Sequence, residues 1–108
     1  MFMVINRWEL LDGHEAQFQE GWSEIIQRNL IHYGGLGSRL HQADDGNWYS
    51  YSLWRSREHW EAAHQLNDSD QEARQKIIHS VKRHFPPVPL TPVLDHLLEA
   101  PDDDATVT

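Results

Sequence analysis

Residues 2 to 10 alternate in polarity, with Phe2, Val4, Asn6, Trp8 and Leu10 on one face and Met3, Ile5, Arg7 and Glu9 on the other. Side chains of a strand point alternately to its two faces, so this pattern predicts a half-buried strand. Asn6 is a polar residue in an otherwise apolar row, and a buried amide must find a partner. Phe18, Trp22, Ile25, Ile26 and Leu30 then recur at helical spacing. Asp12 stands three residues before Glu15 as a capping acid, and Gly34-Gly35 ends the predicted helix.

Leu36 to Gln42 and Asn47 to Arg55 read as a hairpin around Ala43-Asp44-Asp45-Gly46. Its second strand puts Trp48, Ser50, Ser52 and Trp54 on one face and Tyr49, Tyr51 and Leu53 on the other. Two small hydroxyls between two indoles leave a gap that a filled core would not contain. Ser56 caps a short helix predicted to run through Leu66, and Ser69-Asp70-Gln71-Glu72 is a capping box opening another. Ala73, Ile77, Val81 and Phe85 would line the inner face of that helix until Pro86-Pro87 stops it. Residues 91–98 fit a capped helix or a strand. The βαββα order before them calls for a fourth strand, so a strand over 92–99 is expected.

At 108 residues the chain makes one domain, read as residues 1–100, with an acidic tail at 101–108 expected to be disordered. A domain of this size gains from burying apolar surface against a second copy. The net charge of −8 opposes binding to nucleic acid or to anionic membranes. The start of the chain lacks the features of a signal peptide and no segment is long enough to span a bilayer, so a cytoplasmic location is expected. There is no cysteine, which removes thiolate chemistry. Among eight histidines, the pairs His59/His64 and His79/His84 are five apart, which turns the second about 140° around a helix. Such pairs do not share a face, and no metal site is expected. Gly34-Gly35-Leu36-Gly37 reads as a helix stop, and Ser50, Ser52 and Ser56 lack a nucleophile motif.

The run Trp54-x-Ser56-x-Glu58-x-Trp60 resembles the strand-to-helix junction of the antibiotic biosynthesis monooxygenase family. The resemblance implies an α+β, ferredoxin-like βαββαβ domain with an antiparallel four-stranded sheet, assembled as a homodimeric α/β barrel. It also implies oxidation of a small phenolic or quinol-type aromatic by dioxygen without a cofactor. Quinone-forming members carry Asn four residues before the strand Trp, Tyr six after it and Arg twenty after it. Here those positions are Ser50, Trp60 and Arg74, beside Trp54 itself.

By this resemblance Asn6, Trp54 and Arg74 orient the substrate and stabilise an oxyanion, while Ser50, Ser52 and Trp60 shape its pocket. His64, four residues after Trp60, is the candidate general base, since an imidazole titrates near neutrality. Haem-degrading members share an Asn matching Asn6, but their helix Trp and iron-ligating His fall on Ala63 and Ala73 here, which disfavours haem chemistry. The altered Ser50 and Trp60 support a rival expectation, a non-catalytic binding or stress-related module on the same dimeric scaffold.

Overall fold

The computed structural model of the chain describes residues 1–65 and 71–96, with the side chains of His64 and Gln65 outside that description. The elements are β1 (Phe2–Leu10), α1 (Glu15–His32), β2 (Gly35–Gln42), β3 (Trp48–Trp54), α2 (Arg57–Gln65), α3 (Gln71–Ile78), β4 (Val81–His84) and β5 (Val88–Leu90). The sheet is antiparallel in the order β2-β3-β1-β4, with β5 pairing beside β4 on the same edge of β1. This is the expected ferredoxin-like α+β arrangement, with three helices.

Local chemistry explains most of these elements. The β2–β3 turn closes through Gly46 N–H to the Ala43 carbonyl at 3.0 Å, and Gly46 takes φ +86°, a region open to glycine. Asp45 Oδ1 accepts from the Asn47 N–H at 2.8 Å and its Oδ2 from the Tyr49 hydroxyl at 2.9 Å. The Asn47 N–H and then the Tyr49 hydroxyl lower the Asp45 pKa, and the same carboxylate raises that of Tyr49. Ser56 caps α2 as expected: its Oγ accepts from the His59 N–H at 3.2 Å. The capping box at Ser69 and the helix end at Leu66 lie outside the described residues.

Four expectations need correction. Asp12 does not cap α1; it sits in a turn, and His14 is the N-cap without a side-chain hydrogen bond. Leu30 is not an inner residue of α1 but 47% exposed, and the inward position of that last turn belongs to the buried Asn29. The fourth strand is not at 92–99: residues 91–96 form no strand, and 97–99 lie outside the described residues.

β4 and β5 take the fourth-strand place instead. α3 ends at Ile78, where Ser80 Oγ donates to the Lys76 carbonyl at 2.7 Å and the Ser80 carbonyl accepts from the Leu11 N–H at 2.9 Å. Val81 and Phe85 thereby leave the helix they would have lined. Pro86-Pro87 cannot donate ladder hydrogen bonds, so the edge strand is split in two.

The helices cover one face of the sheet. Val4 and Phe18 are fully buried there, with Phe2, Trp8 and Trp54 nearly so. α1 meets α3 at Gly21, where a Cβ would come within 2.8 Å of the Ala73 carbonyl oxygen and 2.9 Å of Lys76 Cβ. Lys76 Nζ is held 2.8 Å from both Glu20 and Glu24 of α1, which raises its pKa. The opposite sheet face carries half-buried Met3, Ile5, Tyr49, Tyr51 and Leu53. On this face the Arg7 guanidinium lies 3.6 Å from the Phe85 ring centroid, and His41 stacks on Tyr51 at 5.4 Å.

Candidate active site

Cross-strand register builds the floor of a cavity. Asn6 lies opposite Ser50, Val4 opposite Ser52 and Phe2 opposite Trp54, so these pairs stand about 4.5–5.5 Å apart at Cβ on the helix-facing side. Serines are too short to reach the helices above them. The space left is a cavity of about 280 Å³. The lining includes Asn6, Ser50, Ser52, Trp54, Trp60 and Arg74, six of the seven residues singled out in the sequence. Only the seventh, His64, has a side chain outside the description. Ala63 also lines the cavity, whereas Ala73 is fully buried.

The polar atoms on the floor differ in how they are satisfied. Ser38 Oγ donates to Ser52 Oγ at 2.7 Å. Ser50 Oγ and Trp54 Nε1 are buried and have no hydrogen-bond partner among the described residues, although Ser50 is only 2% exposed and Trp54 3%. Two buried orphan groups are expensive, roughly 1–3 kcal/mol each. Both residues line the cavity, although the two atoms themselves have almost no accessible surface.

The walls contain residues that the sequence reading missed or placed elsewhere. Trp22 lines the cavity with Ile25 and Ile26 of α1. Arg28 and Asn29 join them: Arg28 Nη2 and Nε donate to Asn29 Oδ1 at 2.8 and 3.2 Å, and the guanidinium lies 4.9 Å from the Tyr33 ring centroid. Asn29 was visible in principle, because it falls three and four residues after Ile26 and Ile25 on the helix. His84 of β4 also lines the cavity and stacks on Trp8 at 5.4 Å and 16°. It could be found only once 81–84 is read as a strand opposite Trp8. Among the described residues, no group of three or more His, Cys, Asp or Glu could hold a metal ion.

The chain is thus an α+β protein whose ferredoxin-like sheet is roofed by helices over an aromatic, partly polar cavity. The sequence profile of the antibiotic biosynthesis monooxygenase family matches residues 1–75, and the chain belongs to that family. A sequence search among curated proteins finds no significant match. Similar solved structures include SnoaB, a cofactor-independent oxygenase from Streptomyces nogalater, at a TM-score of 0.73 and 10% identity over 88% of this chain and 95% of that one. Rv0793 from Mycobacterium tuberculosis follows at 0.71 and 15%, over 89% and 98%. PA3566 from Pseudomonas aeruginosa reaches 0.66 and 15%, over 86% and 94%. At these identities the likeness concerns the fold, and it spans nearly the whole of each relative.

Proposed function

We propose that the protein is a cofactor-independent monooxygenase acting on a phenolic or quinol-type aromatic. The observation that carries this reading is the cavity itself, in which Trp22, Trp54 and Trp60 stand beside the polar Asn6, Ser50 and Ser52. Hydrogen-bond donors held in place by the fold favour an oxyanion, because they need not reorganise as charge develops. Family membership and the likeness to SnoaB support the same chemistry.

The phenol binds with its oxygen at the cross-strand pair Asn6 and Ser50. A base removes the phenolic proton. The electron-rich phenolate passes one electron to dioxygen, and the radical pair joins as a peroxide at the para carbon. Loss of the para C–H proton with cleavage of O–O leaves a quinone and water, so one oxygen atom enters the substrate and the other becomes water. The substrate supplies all four electrons.

His84 lines the cavity, and its ring is fixed against Trp8, which makes it a base candidate beside His64. A second copy of the chain covering Met3, Ile5 and Leu53 belongs to this reading, as does a cytoplasmic location; no described helix is long and apolar enough to cross a membrane. Sedimentation should give a dimer.

The test is oxygen uptake with a panel of naphthols, naphthoquinols and anthrones in the presence of chelator. Uptake that Ser50→Phe abolishes supports the reading. Ser50 and Trp60, which replace Asn and Tyr of quinone-forming relatives, favour the second reading, a binding module. It would be the better account if ligands bind without oxygen uptake.

A further inference from the structure

We propose that the cavity selects an anionic bicyclic hydroxyarene, a hydroxynaphthoate in chemical class, with its hydroxyl at the cross-strand pair Asn6 and Ser50 and its carboxylate on Arg74. This rests on the reading of the cavity as a substrate site. Three observations carry it.

The first is size. An apolar cavity of ~150 Å³ admits one benzene ring. About 280 Å³ is nearly twice that, which suits two fused rings flanked by Trp22, Trp54 and Trp60.

The second is the distribution of charge. The chain has 17 acidic residues against 9 lysines and arginines, yet the cavity lining contains Arg28 and Arg74 and no Asp or Glu among the described residues. A neutral quinol would not need such a lining, whereas a carboxylate entering an acidic protein would need local positive charge to offset the repulsion.

The third observation separates Arg74 from its neighbours. Lys76, two residues along α3, is held by Glu20 and Glu24, and Arg28 is engaged by Asn29 Oδ1 and the Tyr33 ring. Arg74 is exposed, lines the cavity beside Ile77 and Ile78, and makes no ion pair among the described residues. An exposed guanidinium stabilises a buried oxyanion poorly but suits a fixed anion at the rim, where its forked donors match both carboxylate oxygens. The role expected for Arg74 thus moves from the reacting oxygen to substrate selection, while the paired Asn6 and Ser50 take the reacting oxygen.

The test is calorimetric titration of α-naphthol and of a hydroxynaphthoate carrying its carboxylate on the ring away from the hydroxyl, into the wild type, Arg74→Gln and Ser50→Phe. The wild type should bind the carboxylate at least about tenfold more tightly than the naphthol. Arg74→Gln should remove that preference and leave naphthol affinity unchanged, and Ser50→Phe should abolish binding of both. Equal affinities in the wild type, or a preference that survives Arg74→Gln, would overturn the anion assignment and leave the cavity reading standing. Binding of neither compound, or full binding to Ser50→Phe, would overturn the cavity reading and the anion assignment with it. Circular dichroism confirms that each variant is folded.

Discussion

The two ends of β3 meet the helices in opposite ways. At Trp48 the space is filled: the Phe18 ring sits 6.2 Å from Trp48 and 5.1 Å from Trp8, both edge to face, and Phe18 has no exposed surface. At Ser50 and Ser52 the same strand face opens into the cavity, and two buried donors go unpaired. One strand, one roof of helices and one register produce both, so the hollow follows from residue choice at two positions. A chain selected only for stability would fill it.

The comparison breaks most readily at Phe18. Phe18→Ala should cost about 3–5 kcal/mol in urea or thermal unfolding, because it removes a fully buried ring from the packed end. A loss below 1 kcal/mol would mean that this end is not the anchor. Gly21→Ala comes next, at about 1–3 kcal/mol, since the added Cβ must push α1 from the Ala73 carbonyl. Its melting temperature should fall while the sheet's circular dichroism remains.

Ser50→Ala sharpens the contrast from the other end. Removing an unpartnered buried hydroxyl relieves a desolvation cost, so the free protein should be as stable as the wild type or about 1 kcal/mol more stable, with weaker ligand binding. Destabilisation on the scale of Phe18→Ala would show that Ser50 serves the core.

The smallest effect concerns Lys76, at the edge of the packed region. Its pKa is raised in the fold by Glu20 and then Glu24, so its contribution is complete below the ordinary lysine value of 10.5 and is lost as the pH rises through the elevated one. Lys76→Met should therefore flatten the alkaline limb of the stability profile. An unchanged limb would show that the clamp contributes nothing, as many exposed pairs do.

What the sequence made legible follows the same division. β1, α1 and the β2–β3 hairpin rest on local signals, namely alternation, helical spacing and an Asp-Gly turn, and the hollow face of β3 could be read from two serines between tryptophans. β4 could not be read this way. Ala73, Ile77, Val81 and Phe85 stand four apart and fit one helix face, so only contacts distant in sequence, such as Leu11 N–H on the Ser80 carbonyl, decide where the helix ends. His84 was missed with the strand that carries it. Arg28 and Asn29 were missed because the last turn of α1 turns Asn29 inward in place of Leu30.

The measurement that tests the central claim most directly is oxygen labelling. The purified protein, with chelator present, is supplied with isotopically heavy dioxygen and a hydroxynaphthoate whose para position is free, and the product is weighed by mass spectrometry. The account predicts a quinone carrying one heavy oxygen atom, with one dioxygen consumed per substrate, and no product from Ser50→Phe. A quinone whose new oxygen comes from water, or saturable binding with no dioxygen consumed across the aromatic panel, would contradict it.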